Sequence, residues 1–253
     1  MDPYGDEDTA NRRKIGWAIP IILLLVAAPA VVLLVQGSGG DAPSAPDRAA
    51  STGAGPGASD GAGTQTTTDC PAFDRSPTEL PVDAPDAEWR TKGPFTYPVS
   101  VQTGGTSVNG PARPAFPGTD TCYAHTPIGA AFAAASASVE VLVAESAVPY
   151  LQTRVVGGRR DELLGKVSQL TPGDFSFGDI TFRVTAFKIV DYTPDRVLVE
   201  IVTQGQNQDG ISSTKAAVME LVWRDGDWKV VLGSDAAGTR DVTDAAAEGF
   251  LAW

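Results

Sequence analysis

The chain has 253 residues and a formal net charge of −12, from 19 Lys and Arg residues against 31 Asp and Glu residues. Such an acidic chain lacks the basic surface that binding to nucleic-acid phosphates requires, so we expect no direct nucleic-acid binding. The chain has one histidine and two cysteines, so a zinc site built from His and Cys alone would need nearly every such residue. A Ser-His-Asp arrangement has a single candidate imidazole. We therefore predict no metal and no cofactor.

Residues 15–35 form an uncharged apolar run that follows a short charged tail, residues 1–14. Its 21 residues match the roughly 20 that a helix needs to cross about 30 Å of hydrocarbon, which predicts a transmembrane helix. The alternative is a cleaved signal peptide, whose apolar core is usually about 7–15 residues long and precedes a small-residue cleavage site. The longer run here, followed by Gln36 and a glycine-rich stretch, favours an uncleaved anchor.

The basic residues around this run indicate its orientation. Three basic residues, at 12–14, stand directly before it, whereas Arg48 is the only basic residue among the 20 that follow it. Because Lys and Arg concentrate in short cytoplasmic segments, residues 1–14 are predicted to be cytoplasmic. The chain is therefore expected to be a single-pass protein of the cell membrane with an extracytoplasmic C-terminal domain.

Two segments of different composition lead from this run to the folded domain. Residues 36–69 contain no aromatic, Leu, Ile or Val side chain and cannot bury enough apolar surface to fold, so they are predicted to be a disordered linker. Residues 70–117 are rich in proline but carry spaced aromatics such as Trp89 and Phe95. This composition predicts an extended arm that packs on an extracytoplasmic domain spanning 118–235.

The two cysteines stand near the starts of the arm and of the domain, at Cys70 and Cys122. In an exported chain, two cysteines most simply form a disulfide, which would close a loop of 53 residues and hold the arm on the domain. Two free thiols remain the alternative, favoured if the exported side is not oxidising.

Two helices are predicted at the start of the domain. Thr126 and Pro127 combine an N-cap residue with proline at the first helical position. Apolar side chains then follow at three- and four-residue steps as far as Ser146, and Pro149 is expected to end or kink this helix. A second helical pattern covers residues 159–170.

Four strands are predicted after Asp179, and the last two enclose the clearest turn in the chain. The dipeptide Asp225-Gly226 is typical of a two-residue type I′ hairpin, and this turn sets Trp223 opposite Trp228. We interpret the two tryptophans as a core aromatic pair on the one strongly apolar face of the sheet. Helices that cover this face give an α+β fold.

The order of two helices followed by a four-stranded meander that ends in VMELVWRDGDWKVVL resembles the nuclear transport factor 2-like fold. In that fold a cone of helices wraps on a curved antiparallel sheet. The whole layout of tail, single span, linker and domain is similar to the bitopic assembly proteins of type IV secretion and conjugation machines.

A closer resemblance is carried by Trp89, by Gly93-Pro94-Phe95 with Tyr97-Pro98, and by Tyr123-Ala124-His125-Thr126-Pro127 with Gly129-Ala130-Ala131. Over about residues 80–235 the chain resembles an exported domain found in proteins of actinobacterial conjugative and integrative elements. This resemblance supplies no catalytic residues.

Three polar residues are candidates for chemistry. His125 is the only imidazole and precedes a helix cap with no partner identifiable from spacing, which favours a structural or surface role. Glu200 and Glu220 lie on strands and could line a cone-shaped cavity, but the alternation of the strand places Glu220 on the face away from the tryptophan pair. We predict no catalytic residue.

The C-terminal residues 236–253 are predicted to form a tail or a short helix. This segment ends in two aromatic residues, Phe250 and Trp253. Because an exposed apolar end is unfavourable unless something covers it, we consider both residues candidates for contact with a partner.

These features together predict a non-enzymatic, membrane-anchored scaffold component of a conjugative transfer or type IV secretion-like complex, which acts through protein–protein contacts of its extracytoplasmic domain. Its expected partners are other membrane or secretion-complex proteins, with a second copy of the chain as a further candidate. Alternatives are a membrane-tethered enzyme or small-ligand-binding protein that uses the cavity, and an extracytoplasmic sensor. The 14 cytoplasmic residues leave little room for the output domain of a sensor.

Overall fold

The computed structural model describes residues 70, 73, 78–103, 106–112, 118–175, 180–206 and 212–253. The predicted cytoplasmic tail, transmembrane helix and linker, residues 1–69, lie outside the described residues. Within the described ranges, no helix has both the length and the apolar character that crossing a membrane requires.

The described residues form a mixed α+β structure in which a sheet curled into a half-barrel packs with three helices. The helices are α1 (Pro127–Glu140), α2 (Ala144–Thr153) and α3 (Arg160–Val167), and a 3₁₀ turn follows at Pro172–Phe175. The strands are β1 (Ala87–Lys92), β2 (Phe95–Ser100), β3 (Gln102–Thr103), β4 (Thr106–Ser107), β5 (Val155–Val156), β6 (Thr181–Thr193), β7 (Arg196–Gln206), β8 (Ser212–Arg224), β9 (Asp227–Val231), β10 (Gly238–Asp241) and β11 (Leu251–Ala252).

The main sheet has nine strands, so the predicted four-stranded sheet is too small. Its order is β1-β2-β6-β7-β8-β9-β5, with β10 beside β8 and β11 beside β6. The predicted meander is β6 to β9, and the additional strands come from outside it. The segment predicted as an arm supplies β1 and β2, and the segment predicted as a tail or short helix supplies β10 and β11. Strands of two to four residues, such as β10 and β11, carry little periodicity, which is why the sequence pattern does not reveal them.

The predicted turn between β8 and β9 is confirmed. Asp225 and Gly226 have φ angles of +52° and +76°, as a type I′ turn requires at both central positions. The register then sets Trp223 opposite Trp228, as predicted, with ring centroids 5.4 Å apart.

The predicted cap of the first helix is also confirmed, because the side chain of Thr126 accepts a hydrogen bond of 3.0 Å from the Gly129 N–H. The single helix predicted as far as Ser146 is wrong, since α1 ends at Glu140 and α2 begins only at Ala144. The Ser146 hydroxyl donates to the Glu140 carbonyl at 2.8 Å, which satisfies a group that the break leaves without a helical partner. Pro149 lies inside α2.

Helix α1 forms the centre of the core. Thirteen of its 14 residues are buried, and it contacts β2, β6, β7, β8 and β9. Its many alanines allow close approach to the sheet, and at Gly129 an added Cβ would lie only 2.0 Å from the Ala124 carbonyl oxygen. The largest fully buried side chains are Trp228, Tyr97, Tyr123, Phe95, Phe132 and Phe187. The inner face of the curled sheet is therefore filled by side chains.

Candidate functional site

A cleft of about 700 Å³ lies between the β1–β2 hairpin, residues 118–120 and the junction of α1 with α2. We call it the hairpin cleft. The turn after β1 lets the hairpin fold over this region, because Gly93 adopts a φ of +55°, which residues other than glycine rarely adopt. The charged and phenolic side chains that line the cleft are Arg90, Lys92, Tyr97, Asp120 and Glu145.

Asp120 is the acidic centre of one side of the hairpin cleft. Its carboxylate is 1% exposed, and both of its oxygens lie 3.3 Å from Arg90 Nη1. The Tyr97 hydroxyl donates a 2.9 Å hydrogen bond to Oδ2. Burial, and then the charge of Asp120, raise the pKa of Tyr97, so this phenol stays protonated and acts as a donor. Asp120 therefore ties β1 and β2 to the segment that leads into α1.

Glu140 is a second buried carboxylate, at the C-terminal end of α1. Its Oε1 lies 2.6 Å from Lys92 Nζ and accepts a 3.2 Å hydrogen bond from the Asp120 N–H, and Lys92 also donates to the Gly118 carbonyl at 3.2 Å. Its Oε2 has no hydrogen-bond partner among the described residues. Burial raises the pKa of Glu140, although Lys92 opposes this effect. Two acids and two bases thus join the hairpin to α1.

We expect the Glu140→Gln variant to gain stability relative to the wild type as pH rises. Because the folded-state pKa of Glu140 is raised above 4.5, the folded wild type keeps the full stabilisation that protonation of Glu140 provides only below that pH. It loses this benefit as pH rises through the folded pKa, whereas a glutamine side chain at this position has no proton to lose. Denaturant unfolding at a series of pH values measures the difference.

The matched control is Glu145→Gln, which removes an exposed carboxylate that lines the hairpin cleft. Its stability relative to the wild type should change little over the same pH range. A decline of Glu140→Gln relative to the wild type with rising pH would contradict the buried, charge-disfavouring environment of Glu140.

A second buried polar cluster, the Asp227 junction, joins three segments beside the turn of the β8–β9 hairpin. Asp227 Oδ2 accepts from the Cys122 N–H at 2.8 Å, and Oδ1 accepts from the N–H groups of Tyr123 at 3.0 Å and Trp228 at 2.9 Å. Arg154, with a side chain only 3% exposed, donates to Oδ2 and lies over the Tyr123 ring. Burial alone would lower the pKa of Arg154, but Asp227 reverses this effect and leaves it raised.

The sequence interpretation missed the hairpin cleft and the Asp227 junction. Glu140 is the only charged residue in the 14 residues of α1, and this was a usable signal of a buried ionic contact. Asp227, one residue after the turn, is indistinguishable in sequence from an ordinary turn residue.

The contacts of His125 fit the structural or surface role predicted for it. Its ring stacks on Trp223 with centroids 4.0 Å apart and planes inclined by 9°, and its Nε2 contacts the Pro194 carbonyl. The Trp228 ring centroid lies 5.6 Å from that of His125, with the ring planes inclined by 64°. His125 therefore fastens the segment before α1 to the β6–β7 turn and the β8–β9 hairpin.

The structure does not bring Glu200 and Glu220 together in one cavity. Glu220 accepts from Arg196 Nε at 2.7 Å and from the Ser234 hydroxyl, and these contacts, the serine first, lower its pKa. Glu200 is paired with Arg240 Nε at 3.0 Å. Among the described residues, no group of three or more His, Cys, Asp or Glu side chains is arranged to hold a metal ion.

Both terminal aromatics pack against the domain: Phe250 is buried and Trp253 is partly buried, so their contact with a partner stays a prediction. Phe250 is 5% exposed, with Arg240 and Lys188 over its ring at 5.3 and 5.8 Å. Trp253 packs on Phe187 with ring centroids 4.5 Å apart. The pairing of β11 with β6 draws this end of the chain onto the sheet.

The predicted disulfide between Cys70 and Cys122 is present, with an S–S distance of 2.10 Å and a Cα–Cα distance of 5.3 Å. It attaches Cys70 to Cys122, the residue whose N–H binds Asp227.

No curated protein and no solved structure matches the chain significantly. A family model described as Domain of unknown function (DUF8175) matches residues 49–251, which include the disulfide, the hairpin cleft and the Asp227 junction. Because this match covers more than half of the sequence, the chain belongs to the DUF8175 family.

Proposed function

We propose that this protein is a non-enzymatic, membrane-anchored scaffold component of a conjugative transfer or type IV secretion-like complex. Its extracytoplasmic domain, with a nuclear transport factor 2-like fold, acts through protein–protein contacts. Residues 15–35 anchor it, and the linker lets the domain reach its partners.

The observation that carries the non-enzymatic part is the pairing of every buried carboxylate in the described residues. Asp120, Glu140, Glu200 and Asp227 each contact an Arg or Lys side chain within the domain. A carboxylate that acts as a general acid or base must reach a substrate proton, and one held in an internal ion pair is poorly placed to do so. The filled inner face of the sheet leaves little room there for a substrate.

Two further observations support an exported, anchored protein. A disulfide persists in oxidising compartments and is rare in the cytosol, which fits a domain on the outer side of the membrane. The basic residues before the apolar run fit the same orientation. The resemblance to exported domains of conjugative elements supports the choice of complex.

A second candidate function, that of a tethered small-ligand-binding protein, is favoured by the hairpin cleft. The cleft has the volume of a ligand site, and polar side chains such as Arg90, Lys92 and Glu145 line it and could bind a polar ligand.

One purification separates the two candidates. We expect in-cell cross-linking followed by mild-detergent purification of the full chain to recover identified subunits of the transfer channel. Recovery of a bound small molecule with no channel subunit would overturn the scaffold function in favour of ligand binding. A mature protein that is soluble and starts after residue 35 would overturn the anchor.

A further inference from the structure

The hairpin of β1 with β2 determines which backbone groups of β1 face outward. Lys92 pairs with Phe95 across a two-residue turn. The pair that flanks such a turn is hydrogen-bonded, and hydrogen-bonded and non-hydrogen-bonded pairs alternate along an antiparallel ladder. The odd-numbered residues of β1, from Ala87 to Thr91, therefore direct their N–H and C=O groups away from β2.

The residue opposite Trp89 supports this assignment. It is Pro98, which has no N–H to donate and so fits a non-hydrogen-bonded position. The outer edge of β1 is unpaired within the part of the chain that the structure describes, since β1 is the terminal strand of the sheet and its only partner is β2. Trp89 is 36% exposed on this edge, and the Arg183 guanidinium stacks over its ring at 3.5 Å.

We propose that β1 pairs in antiparallel fashion with β1 of a second copy of this chain, in the register centred on Trp89. The outward-facing residues of the two copies then meet, because Trp89 lies opposite itself and Ala87 lies opposite Thr91. Between these pairs, Glu88 of each copy lies opposite Arg90 of the other. These two residues occupy the closer, non-hydrogen-bonded position, where opposite charges stabilise a sheet.

The charges of β1 favour this register over its neighbours. Beyond the strand, the same register also places Asp86 opposite Lys92, so both pairs of charges are complementary. Centring the pairing on Glu88 or on Arg90 instead places that residue opposite itself. Centring it on Thr91 places Arg90 opposite Lys92. Charged side chains along an edge strand disfavour pairing with most other strands. Because the charges of β1 are complementary to themselves in this register, they favour pairing with a second copy.

The Arg90 side chain can bind Asp120 of its own copy and Glu88 of a second copy at the same time. It is 27% exposed, and its hydrogen bonds to the described residues use only the Nη1 atom, on Asp120, which leaves further N–H groups for Glu88 of a second copy. The inference rests on the proposed scaffold function and deepens it, by naming one contact surface and its partner.

Charge reversal tests the register. In full-length protein co-expressed with two different tags and purified in mild detergent, we expect wild-type copies to co-purify. Glu88→Arg alone and Arg90→Glu alone should each reduce this co-purification at least about tenfold, because each homodimer then contains two like-charged pairs. Co-expression of the two single variants should restore co-purification, because both cross-strand pairs of the mixed dimer then join a basic to an acidic side chain.

Backbone substitution tests the edge without changing charge. Thr91→Pro removes an outward N–H but no backbone hydrogen bond to β2, and like the Thr91→Val control it loses the 3.4 Å contact of the Thr91 hydroxyl with Thr96. It should therefore abolish co-purification while leaving the thermal unfolding midpoint close to that of the control. Thr91→Val retains the N–H and should co-purify like the wild type. Because these two variants leave Arg90 unchanged, they still test the β1 edge if Arg90→Glu fails to fold.

Wild-type copies that do not co-purify, or charge variants that do not rescue one another, would overturn the β1 pairing. Channel subunits recovered in that case would leave the scaffold function standing. Conversely, β1-dependent co-purification without any channel subunit would overturn the scaffold function and retain the pairing.

Discussion

Asp227→Asn is expected to lower the free energy of unfolding by about 3–5 kcal/mol, because removing one member of a buried ion pair leaves the other charge without compensation. The Arg154 side chain is 3% exposed and cannot turn to solvent without opening the core. The amide group of the introduced asparagine would also replace one of the two oxygens that accept from backbone N–H groups. Denaturant unfolding followed by tryptophan fluorescence measures the loss, since Trp228 adjoins the substituted residue.

The matched control is Asp225→Asn, two residues away in the same hairpin. The Asp225 side chain is 70% exposed, and asparagine tolerates its φ of +52° well. Its effect should stay within about 0.5 kcal/mol, as for most surface substitutions. Equal effects at the two positions would refute a special role for the Asp227 junction. The double variant Arg154→Met, Asp227→Asn should lose less stability than the sum of its single variants, since it contains no unpaired charge.

The contrast between these two aspartates shows which parts of the fold a sequence reveals. Asp225 and Gly226 specify their turn through backbone geometry that is local, so the turn and the Trp223–Trp228 register are predictable. Asp227 acts through Arg154, 73 residues away along the chain. No spacing rule connects residues so far apart, because only the folded sheet and helices bring them together.

Strand β2 is a case in which the sequence contains the signal but a second signal opposes it. Phe95, Tyr97 and Val99 are buried and alternate in the sequence with Thr96, Pro98 and Ser100, which is the period-two pattern of a strand. Pro94 and Pro98 favoured an extended arm instead, because proline interrupts most ladders. Pro98 lies at a position that needs no hydrogen bond to β1, so here it disrupts nothing.

The hairpin cleft depends on this strand and was hidden for the same reason. Arg90 reaches Asp120 across 30 residues and Lys92 reaches Glu140 across 48, and both contacts require β1 to fold back as part of a hairpin. A segment interpreted as an arm does not predict them.

Cys70→Ser is expected to lower the free energy of unfolding by about 4 kcal/mol. The disulfide closes 53 residues of chain, and opening a loop of that length returns about this much conformational entropy to the unfolded state. Cys70 is the better position to substitute because it is partly exposed, whereas Cys122 is fully buried beside the Asp227 junction. Denaturant unfolding with and without a thiol reductant measures the effect.

The reductant supplies the internal control. It should lower the stability of the wild type to about that of Cys70→Ser and leave the variant unchanged, and a wild type equally stable in both conditions would contradict the prediction. The disulfide joins Cys70 to Cys122, whose N–H binds Asp227, so in the anchored protein that we propose a pull from the membrane would reach the core through this bond.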